Sequence, residues 1–221
     1  MLARMRSGRP VLVLALAVLA AGCGARSSLP EPGTTPDGGT VPDGGVSGGG
    51  IILTQGSLTQ MVSPVQGDTD VVSFYDYFSS SGHTGFEAVG KSELFFYEDT
   101  TTGIVSLVTE HGIDQTTTGQ VQPAGKVDQT FTGLPPEVTV AVSDDNSPME
   151  LVMGSPGSAQ GTWGFNGNTD GGALTGFPLP GSWTVVVTSD FIQGIDTWRF
   201  FGPEEIPLDL TEPVTLTAFQ D

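Results

Sequence analysis

Hydrophobic and polar residues alternate along most of this chain with a period of two. Val138, Val140 and Val142 alternate with Glu137, Thr139 and Ala141, and Trp183, Val185 and Val187 alternate with Thr184, Val186 and Thr188. Trp198 and Phe200 share one face of 196–201, opposite Thr197, Arg199 and Phe201. This is the pattern of strands buried on one side. Further strands are predicted over 58–63, 71–78, 85–89, 93–98, 103–109, 149–153, 161–165 and 213–219. Gly, Pro, Asp and Asn fill the gaps, at Ser81-Gly82, Pro135-Pro136, Asp144-Asp145-Asn146, Asn166 to Gly172 and Pro178 to Gly181. No stretch of eleven or more residues carries a helical period. Many short strands with such turn signals predict an all-β domain over 51–221, a β-sandwich or jelly roll. Leu94-Phe95-Phe96-Tyr97 is apolar on both faces, as expected of a central strand covered on both sides.

The N-terminal 50 residues follow a different pattern. Arg4, Arg6 and Arg9 precede an apolar run from Val11 to Ala21, too short for the roughly 20 residues a bilayer requires. The run reads as the core of a signal peptide over 1–22, ending in Leu19-Ala20-Ala21-Gly22-Cys23. Residues 23–50 form the second segment, the cysteine and a tether. From 24 onward Gly, Pro, Ser, Thr and Asp dominate, with Thr35-Pro36-Asp37-Gly38-Gly39 repeated as Val41-Pro42-Asp43-Gly44-Gly45. Such a composition buries too little apolar surface to offset chain entropy, so a disordered linker is expected. Gly45-Val46-Ser47-Gly48-Gly49 matches the serine-hydrolase pattern in letters only, because no strand precedes it.

The residues from Leu19 to Cys23 resemble the lipobox of bacterial lipoproteins, with Ala20 at a position where Leu is commoner. The resemblance implies that Cys23 is acylated and anchors the chain to a membrane. Cys23 is the single cysteine, so it has no disulfide partner within the chain. Gly24, rather than Asp, follows it, which by the same resemblance points to the bacterial outer membrane. The rhythm of 138–201, with Gly181-Ser182-Trp183-Thr184 before one strand and Trp198 in a later one, is similar to the P domain that follows some secreted subtilisin-like proteases. That resemblance implies a jelly roll, although no protease domain accompanies it.

Charge narrows the partners. The chain has 7 Lys and Arg against 25 Asp and Glu, and three of the bases lie in the first 22 residues. An acidic surface of this kind repels phosphate backbones, which argues against nucleic-acid binding. His83 and His111 have no metal-ligand spacing and are each flanked by glycine, so both are expected in loops. Asn166, Asn168 and Asp170 place oxygen side chains at alternate positions before Gly171, resembling the first half of an EF-hand-type calcium loop. Asn166 stands where Asp is usual, and Phe177 where the bidentate Glu belongs. The same residues also serve as ordinary turn formers. Asp144, Asp145 and Glu150 form a second acidic loop, and Asp68 with Asp70 a third. Trp183 and Trp198 are in phase with core positions. Trp163, between Gly161 and Gly164, is expected to be exposed and to offer a ligand-stacking surface beside the 166–170 loop. Arg199 is expected to pair with an acid on a neighbouring strand.

Three functions remain open at this point. A lipid-anchored envelope sandwich binding glycan or protein, with or without calcium, accounts for most of these features. A polysaccharide hydrolase would use paired carboxylates, for which Glu93 with Glu98 or Glu204 with Glu205 are candidates. A subunit of an envelope assembly would cover its strand edges with another chain.

Overall fold

The computed structural model describes residues 49–145 and 149–220. The signal peptide, Cys23 and nearly all of the tether lie outside the described residues. The rest is a β-sandwich of two seven-stranded sheets. Sheet A contains β1 (Gly50–Gln55), β2 (Leu58–Val62), β6 (Gly125–Thr132), β8 (Leu151–Met153), β9 (Ser158–Phe165), β11 (Trp183–Gln193) and β14 (Val214–Phe219), in the order β2-β1-β14-β11-β6-β9-β8. Sheet B contains β4 (Lys91–Asp99), β5 (Ile104–Gly112), β7 (Thr139–Ser143), β10 (Thr169–Phe177), β12 (Thr197–Phe200) and β13 (Ile206–Leu208), in the order β13-β12-β4-β5-β10-β7. The short β3 (Val65–Gly67) pairs with β4 as its seventh strand.

Sheet A follows the alternation closely. Val127 and Phe131, Ala159, Trp163 and Phe165, Val185 and Val187, and Val214 and Leu216 point inward, with polar residues between them. They meet Leu94, Phe96, Val105, Leu107, Leu174 and Trp198 of sheet B in one core. The two-faced burial expected of Leu94–Tyr97 is observed, because Phe95 and Tyr97 pack outward into a second apolar cluster with Val71, Tyr75, Val108, Val142 and Ala173. The cover over this outer face is the chain between β3 and β4, residues 68–90.

The cover is also where the strand expectations fail. Val71–Tyr75 is a short helix, α1, and 85–89 forms no strand. The β-branched pair Val71-Val72 favours a strand, but Asp70 accepts the Ser73 N–H at 2.7 Å and caps a helical turn. That turn buries Val71 and Tyr75, four residues apart, on one face. A tight turn follows, in which Phe78 and Ser81 exchange backbone hydrogen bonds around the left-handed Ser79 and Ser80. A second helix of four residues, α2 (Gln115–Thr118), follows β5 and is capped by Asp114. Residues 169–172, expected within a loop, begin β10 instead. The paired glycines there permit close cross-strand approach and do not mark a turn.

Chain crossings fix where the site lies. β7 and β8 are edge strands of different sheets on the same side of the sandwich, and β9 and β10 are their inner neighbours. The β7–β8 and β9–β10 connections therefore both cross between the sheets at that side.

Phe96 is fully buried between the sheets and its ring lies 5.6 Å from Phe177, 5.8 Å from Trp183 and 6.1 Å from Phe200. Phe96→Ala is expected to lower unfolding free energy by about 3–5 kcal/mol in urea titration. Met61→Ser, at a 66% exposed edge position, should change it by less than about 0.5 kcal/mol.

Candidate metal centre

At the crossing side, three carboxylates converge. Asp144 leaves β7, Glu150 precedes β8 and Asp170 is the second residue of β10, and one oxygen from each lies within 4.8 Å of the others. Asp144 and Asp170 are 5% and 4% exposed, and Glu150 is half-buried. None of the ion pairs among the described residues includes any of the three.

Neutral donors orient them. Asp144 Oδ2 accepts the Tyr75 hydroxyl at 2.9 Å and the Gly171 N–H at 3.0 Å. Asp170 Oδ2 accepts the Gly164 N–H at 3.0 Å. Glu150 Oε2 is sealed from solvent and, among the described residues, finds no donor. Glycine is required at 171: a Cβ there would sit 2.8 Å from Glu110 Cα and 3.0 Å from the Tyr75 oxygen. Any side chain would thus collide with the Thr109 carbonyl of β5, force β10 away from that strand and crowd the Tyr75 hydroxyl.

Burial and mutual repulsion raise the proton affinity of the whole set. Burial lifts Asp144 to about 7, with Asp170 adding to the effect. Burial lifts Glu150 to about 10, reinforced by Asp170 and Asp144, and raises Asp170 as well. Tyr75 is pushed well above the usual tyrosine range by burial and by Asp144, so it stays protonated and donates. His111 lies opposite Asp170 in the β5–β10 register but supplies no charge. Burial depresses it to about 3, its Nδ1 lies 2.9 Å from Ser92 Oγ, and its ring packs 4.9 Å from Trp163. Three acids without a cation must hold protons or a metal ion. An all-oxygen set with an unpartnered inward oxygen is suited to a hard cation, and the triad can hold one.

The structure redistributes the residues singled out in the sequence. Asp170 joins Asp144 and Glu150 from the second acidic loop, and not Asn166 and Asn168. Asn168 Oδ1 accepts the Asn166 N–H at 2.8 Å and its Nδ2 donates to the Ser80 carbonyl at 2.9 Å, so both asparagines act as turn formers here. Trp163 is fully buried, which removes the stacking surface expected of it. Its ring fills the space left by Gly161 on the inner face of β9, and its Nε1 donates to the Gly171 carbonyl at 2.8 Å. His83 lies in the cover as a loop residue, whereas His111 is a buried strand residue, Gly112 beside it ending β5.

Arg199 pairs with Glu93 of the adjacent strand β4, as expected, and with Glu205. Glu98, on the opposite face of β4 from Glu93, accepts from Gln66 instead. Glu205 meets Arg199 and Lys91, and Glu204 is exposed. Asp68 is exposed, and Asp70 is spent on capping α1.

No family model, curated protein or solved structure matches this chain.

The raised proton affinities fix a sign. The native triad binds more protons than the unfolded chain above the ordinary carboxylate range, so its contribution to stability is full below that range and falls as pH rises through about 7 for Asp144 and on towards about 10 for Glu150. In chelator, unfolding free energy is expected to drop by on the order of 2 kcal/mol between about pH 5 and 8. Glu150→Gln should make that profile shallower, with the buried Glu93 and Glu110 still contributing to it, and stabilise the metal-free protein at pH 8, as read by urea unfolding.

Proposed function

We propose that this protein is a lipid-anchored outer-membrane protein whose β-sandwich is braced by calcium and carries a glycan- or protein-binding surface away from the lipid. The observation that carries this reading is the acid triad. Asp144, Glu150 and Asp170 bring three carboxylates together without a cationic side chain, an arrangement that gains most from a divalent ion. Oxygen-only ligands of this type suit calcium better than zinc or copper, which favour nitrogen and sulfur. Three protein carboxylates form a weak site by the standards of cytosolic calcium buffers. They are appropriate to extracellular modules, where calcium is bound in roughly the 0.1–1 mM range.

The reading agrees with the N-terminal pattern. Arg4 to Ala21 followed by Cys23 supports export and acylation, and a tether of 24–50 supports reach from the membrane. A role as an envelope-assembly subunit is the second reading. It is favoured by Met149, Val152 and Met153, which are 53%, 37% and 42% exposed at the β8 sheet edge.

The test is thermal unfolding of the full chain carrying Cys23→Ser, in chelator, calcium or magnesium at matched ionic strength. Calcium is expected to raise the midpoint by about 5 °C at ten to a hundred times its dissociation constant, with magnesium doing less. Asp144→Asn and Asp170→Asn should each abolish the calcium-specific rise. Equal shifts in both cations would mean charge screening and refute the calcium reading. In cell fractionation, Cys23→Ser should move the protein from the membrane pellet to the soluble fraction, and unchanged sedimentation would refute the anchor.

A further inference from the structure

A second pair of acids lies on the outer face of sheet B, and one of them, Glu110, is in register with Gly171 beside the triad. The alternation of β4 places Glu93 beside Phe95 and Tyr97, and that of β5 places Glu110 beside Val108. The antiparallel register sets Glu93 directly opposite Glu110. Both are fully buried. Cross-strand neighbours have Cβ atoms about 5 Å apart, and like charges so placed destabilise a sheet.

The cations nearby do not neutralise both. Arg199 on β12 directs Nε and Nη2 to Glu93 Oε1, Nη1 to Glu205, and Nη2 also to the Phe86 carbonyl at 2.9 Å. Lys91 lies 3.9 Å from Glu205. Glu93 Oε2 is left sealed from solvent and without a partner among the described residues. Glu110 receives only the Thr84 hydroxyl, which lies 2.8 and 2.9 Å from its two oxygens. The other charged groups facing the pair are Glu87 of the cover, which accepts the Gly85 N–H, and Glu205; Tyr75 of α1 faces Glu110 as a neutral phenol. Among the described residues, Glu93, Glu110, Glu87 and Glu205 therefore face Arg199 and Lys91, with the imidazole of His83 near Glu87.

These groups hold down the second half of the cover. Thr84 bonds to Glu110, the Phe86 carbonyl to Arg199, and the Phe86 ring lies 5.3 Å from Phe95 and 4.2 Å from Phe201. His83 Nε2 is 3.4 Å from Asp114, and the Gly90 N–H donates to Gln122 at 3.1 Å. We propose that Glu93 and Glu110 form a proton-locked clamp, keeping one proton between them while the strap 81–90 is closed and releasing the strap when that proton is lost to solvent. Opening would uncover an acid-and-aromatic surface formed by Glu93, Glu110, Phe95 and Phe201. Burial raises Glu93 to about 8 and Glu110 well above the carboxylate range, which sets the direction: closed at neutral pH, opening as pH rises past about 8.

The test is hydrogen exchange on the full chain carrying Cys23→Ser, in chelator throughout so that no cation enters the result. Labelling times are scaled to equalise chemical exchange at pH 7 and 9. Peptides covering 81–90 are expected to exchange about tenfold faster at pH 9, over and above the acceleration of the β6 segment 125–132, which reports the global loss of stability that the triad brings. Glu110→Gln, which keeps an acceptor for Thr84 and removes the second charge, should lose most of this pH dependence, and Asp144→Asn should retain it. The clamp is overturned by a strap that ignores pH, by equal acceleration of β6, by Glu110→Gln behaving as wild type, or by Asp144→Asn abolishing the effect. Wild-type carboxyl-carbon NMR gives a check that needs no variant: one glutamate of the pair should titrate near pH 8, and titration of both below about pH 5 would refute the clamp.

Discussion

The hydrogen bond from Tyr75 to Asp144 joins the layers of this molecule. It runs between two buried side chains, from the helix of the cover to the edge of sheet B where the chain crosses to sheet A. Each part depends on an earlier one. Asp70 caps α1, the cap sets the helical turn, and the turn brings Tyr75 over Gly171, where only a glycine leaves room for it. Asp144 then takes one hydrogen bond from the cover and one from β10, which aims it towards Asp170 and Glu150. The triad is thus a product of the cover as much as of the sheets.

The cover is attached to the sheet largely through carboxylates. Tyr75 meets Asp144, Tyr77 meets Asp145, Thr84 meets Glu110, and Phe86 reaches Glu93 through Arg199. Buried acids accept these bonds well, yet in an environment with so few bases they repel one another. The apolar contacts of Phe74, Phe86, Phe95 and Tyr97 supply the non-directional attraction that keeps the layer closed against that repulsion. The stability of this face is set by the charge on its acids, whereas that of the inner core is set by the packing of Leu, Val, Phe and Trp.

Sequence reading succeeded where one strand's own pattern of burial decides and failed where a cap, a glycine or the pairing of distant strands does. Sheet A strands alternate cleanly because one face meets solvent, and β4 announced itself by being apolar on both faces. The cover was misread because Val71-Val72 has strand propensity while a single capping hydrogen bond from Asp70 selects the helix. Trp163 was misplaced because its glycine neighbours look like a loop, although Gly161 makes space for the indole. The acids of the triad were visible as two separate loops. Their union follows from β7, β8, β9 and β10 sharing one side of the sandwich, a fact of topology that no local pattern encodes. The Glu93–Glu110 pair was hidden for the same reason, since only the register sets them opposite each other.

The excess of acid over base has a structural consequence beyond solubility. With only Lys91, Lys126 and Arg199 available in the domain, a buried carboxylate is stabilised either by neutral donors, as Asp99 is by Thr101 and Thr102, or by a proton or cation taken from outside the chain. Arg199 is already divided among Glu93, Glu205 and a backbone carbonyl, so the triad receives nothing from it. A replacement lysine beside Asp170 would solve the problem permanently, but it would fix the charge and fill the space between the crossings. Retaining three acids leaves that charge to be set by the medium. Three carboxylates held together without a cationic side chain keep their charge low only through bound protons or a metal ion, so the stability of this corner of the domain follows what the medium supplies.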